Sequence, residues 1–507
     1  MKTIQEIVHF FNDHQVFITT ENQPVFTFSD LKKQIDWTKN FLHNNNLQKN
    51  DTIAIVLDNG PEMATSFLSV ACFCRSAPLN PSFTASEFDY YLEDLKPKAL
   101  IVMEDSNSPV ISVAKKRQIN IFKLSVNKKD PSGKFILKSE KNYKSKNLNA
   151  SSLIVSEDIA LILHTSGTTS KPKMVPLTHL NLCTSAKNIV ETLKLNRSDR
   201  CINIMPLFHI HGIVGLLLSS LFSGGSIFPS PGFDALKFFS WIKKFSPSWY
   251  SAVPTMHQVI LMRANRNSEI IAKANLRFIR SSSASLPSKT MEDIENIFHC
   301  PVIESYGMTE ASHQMTSNHL PPGKRKPSKV GFAAGPEVAI IGENKKILKN
   351  GKIGEVIIRG DNVSKEYINN PQANKDSFID GWFRTGDQGF YDDQGFLQLT
   401  GRIKEIINKG GEKISPLEID EVVMGHKNIF QCITFSIAHD KLGEEVALAV
   451  VLKSDHQLSE QELKEFLSNK LASFKIPQKI IFLNEIPKGK TGKLQRIGLA
   501  KKLGLEK

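Results

Sequence analysis

The chain has 507 residues, more than one hydrophobic core usually serves, so two or more domains are expected. With 40% apolar and 23% charged residues it has an ordinary globular composition, and its longest apolar stretch, Gly212 to Phe222, is about half of what crosses a bilayer, which argues against membrane insertion. The formal net charge of +13 is scattered, and the densest lysine cluster, Lys138 to Lys146, falls in a Ser/Asn-rich stretch, so it reads as a solvated loop and not as a nucleic-acid surface.

In chain order, Met1 to Glu6 begins an amphipathic pattern with an early acid, unlike a signal peptide, and residues 1 to 100 alternate helical patterns with short strands such as Thr52 to Leu57. Residues 104 to 150 predict an edge element and a long loop. The apolar run Ile159 to Leu163 then reads as a buried strand that breaks into a polar loop, Thr165-Ser-Gly-Thr-Thr-Ser-Lys-Pro-Lys173, before a helical pattern resumes. Beyond it come strands at 201 to 205, 226 to 228, 249 to 253, 276 to 280 and 302 to 305, separated by helical patterns at 212 to 221, 236 to 245, 255 to 264 and 289 to 298. That rhythm predicts a doubly wound sheet, which binds ligands at the carboxyl ends of its strands, where Thr165, His209, Ser283 and Tyr306 fall. Residues 338 to 359 change to short strands with Gly turns, a small β subdomain. Residues 402 to 507 mix strands (432 to 437, 446 to 452, 479 to 483) with a helix at 460 to 471, as a small α+β domain would. The six cysteines lie mostly in apolar or helical contexts without metal or redox spacing, which suits free thiols and a cytoplasmic protein.

The polar loop suits a polyphosphate. Gly167 lets backbone approach closely, hydroxyls and amides donate hydrogen bonds, and Lys171 and Lys173 add charge. It is not a Walker loop, because the second Gly is missing and Pro172 separates the lysines. On composition alone a surface turn explains it equally well.

Seven segments in order settle that tie: Thr165 to Lys173, Pro206-Leu-Phe-His-Ile-His-Gly212, Ser305-Tyr-Gly-Met-Thr-Glu310, Trp382-Phe-Arg-Thr-Gly-Asp387, Gly401-Arg-Ile-Lys-Glu405, Lys409-Gly-Gly-Glu412 and Lys490-Thr-Gly-Lys493. Together they resemble the adenylate-forming superfamily of acyl-CoA synthetases, adenylation domains and luciferases, from about residue 25 to 497. The resemblance implies an α/β fold: a large N-terminal domain of doubly wound sheets with a small β subdomain (1–401) and a small mobile α+β domain (402–507) hinged near Lys404. It also implies the reaction. A carboxylic acid attacks the α-phosphate of ATP to give acyl-AMP and pyrophosphate, and the thiol of coenzyme A then displaces AMP.

The implied site assigns the phosphates to Thr165, Ser166, Gly167, Thr168, Thr169 and Lys173, and the adenine surroundings to Ser283, Ala284, Ser285, Ser305, Tyr306 and Gly307, with Tyr306 as stacking face. Thr309 and Lys493 meet the α-phosphate, Glu310 holds Mg²⁺, and Asp387 with Arg402 takes the ribose hydroxyls. Lys409, Gly410 and Gly411 resemble the loop that enters only for thioester formation, and His209 the gate between acid pocket and thiol tunnel. Ser170 and Met174 depart from the common loop pattern.

Within the superfamily, Trp249 to His257, Arg277-Phe-Ile-Arg-Ser-Ser-Ser-Ala-Ser-Leu286, Met308 to Met315 and Gly410 to Pro416 look like the oxalate–CoA ligase branch. A dicarboxylate keeps one anion after the other carboxylate is adenylated, and that anion needs partners. His209, Ser283 and His313 are the candidates, His313 becoming cationic if the anion raises its pKa. A medium-chain or aryl acyl-CoA synthetase, or a stand-alone enzyme loading a carrier protein, would use the same machinery.

Overall fold

The computed structural model describes residues 1–140, 153–165, 172–454, 456–489 and 493–506. Two large sheets dominate. In the seven-stranded sheet the order is Ile136–Ser139, Asn120–Ser125, Ala99–Met103, Thr52–Val56, Arg75–Pro78, Ile159–His164 and Met174–Thr178, parallel except at its two edges. The nine-stranded sheet runs Phe332–Ala333, His313–Ser317, Val302–Met308, Phe278–Ser282, Trp249–Ala252, Arg200–Asn203, Ser226–Pro229, Val16–Ile18 and Phe26–Thr27. Its inner parallel strands are covered on both faces by helices, so Trp249–Ala252 and Phe278–Ser282 are buried at every residue. The helices start where side chains satisfy their free amides. Thr27 with Asp30, Thr84 with Glu87, Thr178 with Asn181 and Ser459 with Glu462 each form a reciprocal cap.

A five-stranded antiparallel sheet follows, with Glu337–Ile341, Gly354–Arg359, Trp382–Tyr391 and Phe378–Ile379 in line and Leu397–Arg402 paired to Trp382–Tyr391. The C-terminal part holds its own five-stranded sheet (Glu412–Ile414, Ile407–Lys409, Gly443–Leu452, Ile429–His439, with Lys479–Phe482 alongside) and the helices Pro416–Met424 and Glu460–Ser468. The α/β class and the layered plan expected from the sequence are thus present.

Several details differ from the sequence expectation. Between the polar loop and helix His179–Leu193 lies a further strand, Met174–Thr178, which pairs antiparallel with Ile159–His164. Met174 is therefore a buried strand residue whose carbonyl accepts from the Ile368 amide. Tyr306 lies inside strand Val302–Met308 and not beyond its end. Residues 104 to 140 contain a helix, Val110–Lys116, besides the edge strand. The helical run near 212 opens as a π-helix, His211–Leu218, continued by Ser219–Ser223. π-Helical turns recur at functional sites because they displace side chains from the ordinary helical register.

No helix among the described residues is long and apolar enough to cross a membrane. All six cysteines are buried and unpaired by disulfides.

Candidate active site

The site forms where the ends of the nine-stranded sheet meet the antiparallel sheet and the C-terminal tail. Asp387 and Arg402 face each other across neighbouring strands, and the Arg402 Nε lies 3.3 Å from Asp387 Oδ1. The Tyr306 hydroxyl donates to Asp387 Oδ2. Burial raises the Asp387 pKa, while Arg402, the Tyr306 hydroxyl and Lys493 pull it back.

Lys493 reaches this cluster from the tail. Arg496, three residues on, is paired with Glu405 (3.4 Å) and Asp420, and the Gly489 amide donates to the Lys493 carbonyl at 2.8 Å. These contacts tie the tail to the Arg402–Glu405 turn. Burial and the Arg402 charge push the Lys493 ammonium down to about 8, with Asp387 opposing.

Glu310 is buried in the short turn Thr309–Ala311 that joins Val302–Met308 to His313–Ser317. Its Oε1 accepts the Tyr367 hydroxyl at 2.7 Å, and Lys173 Nζ lies 4.5 Å from the Tyr367 ring centroid. Burial raises its pKa, and the Tyr367 hydrogen bond, Arg402 and Lys173 oppose that rise. A buried carboxylate with lone pairs left, close to Lys173, fits Mg²⁺, which takes one or two carboxylates and draws its remaining ligands from phosphate and water.

Thr165 sits at the hairpin mouth, where its amide donates to the Lys173 carbonyl (2.9 Å) and its Oγ1 accepts from the Lys173 amide (3.1 Å). Ser166, Gly167, Thr168, Thr169, Ser170 and Lys171 lie outside the described residues. Ala284 and Ser285 are exposed at the end of strand Phe278–Ser282, whereas Ser305 is buried with its hydroxyl turned to the Ser281 carbonyl (3.5 Å). Gly307 is needed for a close approach, because a Cβ there would stand 1.7 Å from the His313 carbonyl oxygen.

A histidine cluster lies at the ends of the neighbouring strands. His211 is fully buried; its Nε2 lies 2.7 Å from Ser251 Oγ and its Nδ1 3.1 Å from Ser283 Oγ. The His313 ring stacks on it at 4.9 Å between centroids. Arg280, with no accessible surface, lies 3.0 Å through NH1 from His313 Nε2, and its NH2 donates to Gln314 Oε1 at 2.9 Å. Burial, then Arg280 and Lys493 among other charges, holds His211 and His313 well below the usual imidazole range. His313 is therefore neutral, and the cation of the cluster is Arg280. His209 follows strand Arg200–Asn203 and is lowered to about 3 by burial and by Lys493.

Lys409, Gly410 and Gly411 form the turn between Ile407–Lys409 and Glu412–Ile414, with Lys409 Nζ 2.6 Å from Glu445 and both glycines exposed at positive φ. Lys404 is exposed in the 3₁₀ turn Ile403–Glu405. Lys409, Gly410 and Gly411 thus belong to a separate group, while Lys493, Asp387, Arg402, Tyr306, His209 and His313 are brought within electrostatic reach of one another.

Sequence reading missed Arg280, His211, Tyr367 and Arg496. A charged residue inside the otherwise uncharged strand Phe278–Ser282 was the available signal for Arg280.

A tail lysine, a buried carboxylate close to Lys173 and a Tyr–Asp–Arg cluster on this α/β frame fit an enzyme that activates a carboxylic acid as its adenylate. The family described as AMP-binding enzyme matches residues 5–368, and the one described as AMP-binding enzyme C-terminal domain matches residues 418–493. The chain belongs to the AMP-binding enzyme family and is an ATP-dependent, AMP-forming acid–CoA ligase.

An oxalate–CoA ligase of Saccharomyces cerevisiae is 42% identical, covering 96% of this chain and 94% of its own. An oxalate–CoA ligase of Arabidopsis thaliana is 43% identical, covering 89% and 88%. Among solved structures, ATP-bound MatB from Rhodopseudomonas palustris superposes with a TM-score of 0.87 at 26% identity over 99% of both chains. The apo form of the same protein gives 0.79, covering 99% of this chain and 98% of that one.

Proposed function

We propose that the enzyme converts oxalate, ATP and CoA to oxalyl-CoA, AMP and pyrophosphate. The observation that carries this reading is the acid end of the site: His211, His313, Ser283 and Ser251 are polar, Arg280 stands behind them, and no carboxylate among the described residues pairs with that guanidinium. A medium-chain or aryl acid would need apolar surface where these donors lie. The two relatives named oxalate–CoA ligase support the same substrate.

In the first step one oxalate carboxylate attacks the α-phosphorus, and pyrophosphate leaves. Negative charge concentrates on the α-phosphate oxygens, and the Lys493 ammonium with the Thr309 hydroxyl stabilises it as it forms. Asp387 and Arg402 fix the ribose, Tyr306 orients Asp387, and Thr165 to Thr169 with Lys173 cradle the phosphates. Glu310, oriented by Tyr367, would hold Mg²⁺, which supplies neutralisation of phosphate charge when bound.

In the second step the CoA sulfur attacks the acyl carbon and AMP leaves. Lys493 must withdraw for this, so the part from residue 402 onward swings about Lys404 and brings Lys409, Gly410 and Gly411 in. The boundary between residues 401 and 402 and the His209 gate belong to this proposal. Its support is that the tail arrangement, with Lys493 beside Asp387, goes with the higher likeness to ATP-bound than to apo MatB.

Pyrophosphate release measured with oxalate, malonate, acetate, octanoate and coumarate tests the substrate. Oxalate is expected to give the highest kcat/KM. Preference for a monocarboxylate would overturn the reading.

A further inference from the structure

We propose that Arg280 is the positioning residue that makes the acid pocket take a short dicarboxylate: it keeps the proton of His313 on Nδ1 and provides the counter-charge for the carboxylate that is not adenylated. This rests on the oxalate reading and goes beyond it by naming the group that distinguishes a diacid from a monoacid.

Arg280 lies in the central strand Phe278–Ser282, has no accessible surface, and has no acidic partner among the described residues. A guanidinium in that position is costly unless an anion comes to meet it. Its planar fork is nonetheless held in place. NH2 donates to Gln314 Oε1, and Gln314 is itself oriented, because its Nε2 donates to Thr192 Oγ1 and to the Ala334 carbonyl, each at 3.1 Å.

The other arm of the fork sets the tautomer of His313. Guanidinium nitrogens only donate, so His313 Nε2, 3.0 Å from NH1, must accept, and the ring proton sits on Nδ1. Nδ1 has no hydrogen-bond partner among the described residues. It is thus a donor polarised by a fixed cation and left unspent.

The surroundings hold this ring still. It stacks on His211, whose two nitrogens are engaged by Ser251 and Ser283. Behind it the π-helix comes so close that a Cβ on Gly215 would stand 2.7 Å from His313 Nε2. The backbone at His313 has φ +96°, in the left-handed region, as the turn from Thr309–Ala311 delivers the ring inward. A carboxylate against Nδ1–H would neutralise the buried guanidinium through the ring, whereas a neutral tail would leave it uncompensated.

The test compares oxalate with glyoxylate, which has one carboxylate on a two-carbon frame, in pyrophosphate release by the full-length wild type, Arg280→Gln and Arg280→Lys. Arg280→Gln is expected to raise KM for oxalate about 100-fold, the effect of removing one partner from a buried charged pair. The ratio of kcat/KM for oxalate to that for glyoxylate should fall at least about tenfold, since no charge pair is lost with glyoxylate. Arg280→Lys restores the charge and should recover at least about tenfold of the lost oxalate affinity.

Equal loss on both acids, or no recovery with lysine, would overturn the proposal while leaving the oxalate assignment standing. Wild-type preference for glyoxylate over oxalate would overturn both. Should the variants fail to fold, ¹⁵N NMR of the wild type decides it. His313 should carry its proton on Nδ1, with a resonance that shifts on adding oxalate and not acetate, and a protonated Nε2 would refute the proposal.

Discussion

Replacing Lys493 tests the whole arrangement. Its ammonium is pushed down to about 8 by burial and by Arg402, against the pull of Asp387. The proposed role in adenylation requires the charged form, so kcat/KM for ATP should be full below that value and decline as pH rises through it. Between pH 7 and pH 9 the protonated fraction, and with it kcat/KM, falls about tenfold. A guanidinium in the same place stays charged throughout, so Lys493→Arg should lose this limb whatever its absolute rate.

Asp387→Asn removes the opposing charge and should move the limb of the native lysine to lower pH. Lys493→Ala should reduce adenylation about 10²- to 10³-fold, the usual effect of deleting one fixed charge from a forming oxyanion. Thioester formation from preformed acyl-AMP should stay near wild type. The measurements are pyrophosphate release with ATP limiting and CoA consumption with synthetic oxalyl-AMP. Equal losses in both half-reactions would refute the tail exchange, and a flat profile from pH 7 to 9 would refute the lowered pKa of the lysine.

Three further outcomes follow from specific contacts. Tyr367→Phe removes the donor at 2.7 Å from Glu310, which further raises that carboxyl, and should increase the Mg²⁺ concentration for half-maximal activity about tenfold. An unchanged Mg²⁺ titration would separate Tyr367 from the metal site. Gly307→Ala sets a Cβ against backbone at 1.7 Å, with no side chain to yield, and should destabilise the protein by about 1–3 kcal/mol or more in urea unfolding; wild-type stability would mean that the strands separate easily.

Glu304 is buried, has Oε2 without a partner among the described residues, and is raised to about 8 by burial and by Glu421, although the Leu286 amide opposes the rise. Because its folded pKa exceeds the unfolded value, the native state holds the extra proton in between, and stability falls as pH rises from about 4.5 to 8. Glu304→Gln should abolish that decline, so its advantage grows across this window and levels off above it, to the order of 4 kcal/mol. Parallel urea titrations of both proteins at pH 5, 7 and 9 measure it, and a constant difference would contradict the buried acid.

The linear chain determined which chemistry is available and in what order. The hydroxyl-rich loop before Lys173, the Tyr-Gly-Met-Thr-Glu segment, the Gly-Asp pair ending at Asp387 and the Thr-Gly-Lys near the end are local patterns, so they can be read without knowing what they touch. The alternation of strands and helices was legible for the same reason, since period and turn residues act within a few positions. The π-helix at His211–Leu218 was not, because a run that is buried on all sides carries no periodicity that distinguishes one helical winding from another.

Tertiary structure alone decided the cluster around Arg280. Arg280 belongs to a strand buried on both faces, where alternation says nothing about direction, and its partners His313 and Gln314 are brought over by a strand two places along the sheet. Tyr367 meets Glu310 and Arg496 meets Glu405 across long stretches of chain, and Lys493 acquires its lowered pKa only when the tail is folded against Arg402. Charge, tautomer and desolvation are properties of an environment assembled from distant segments, and no single segment contains them.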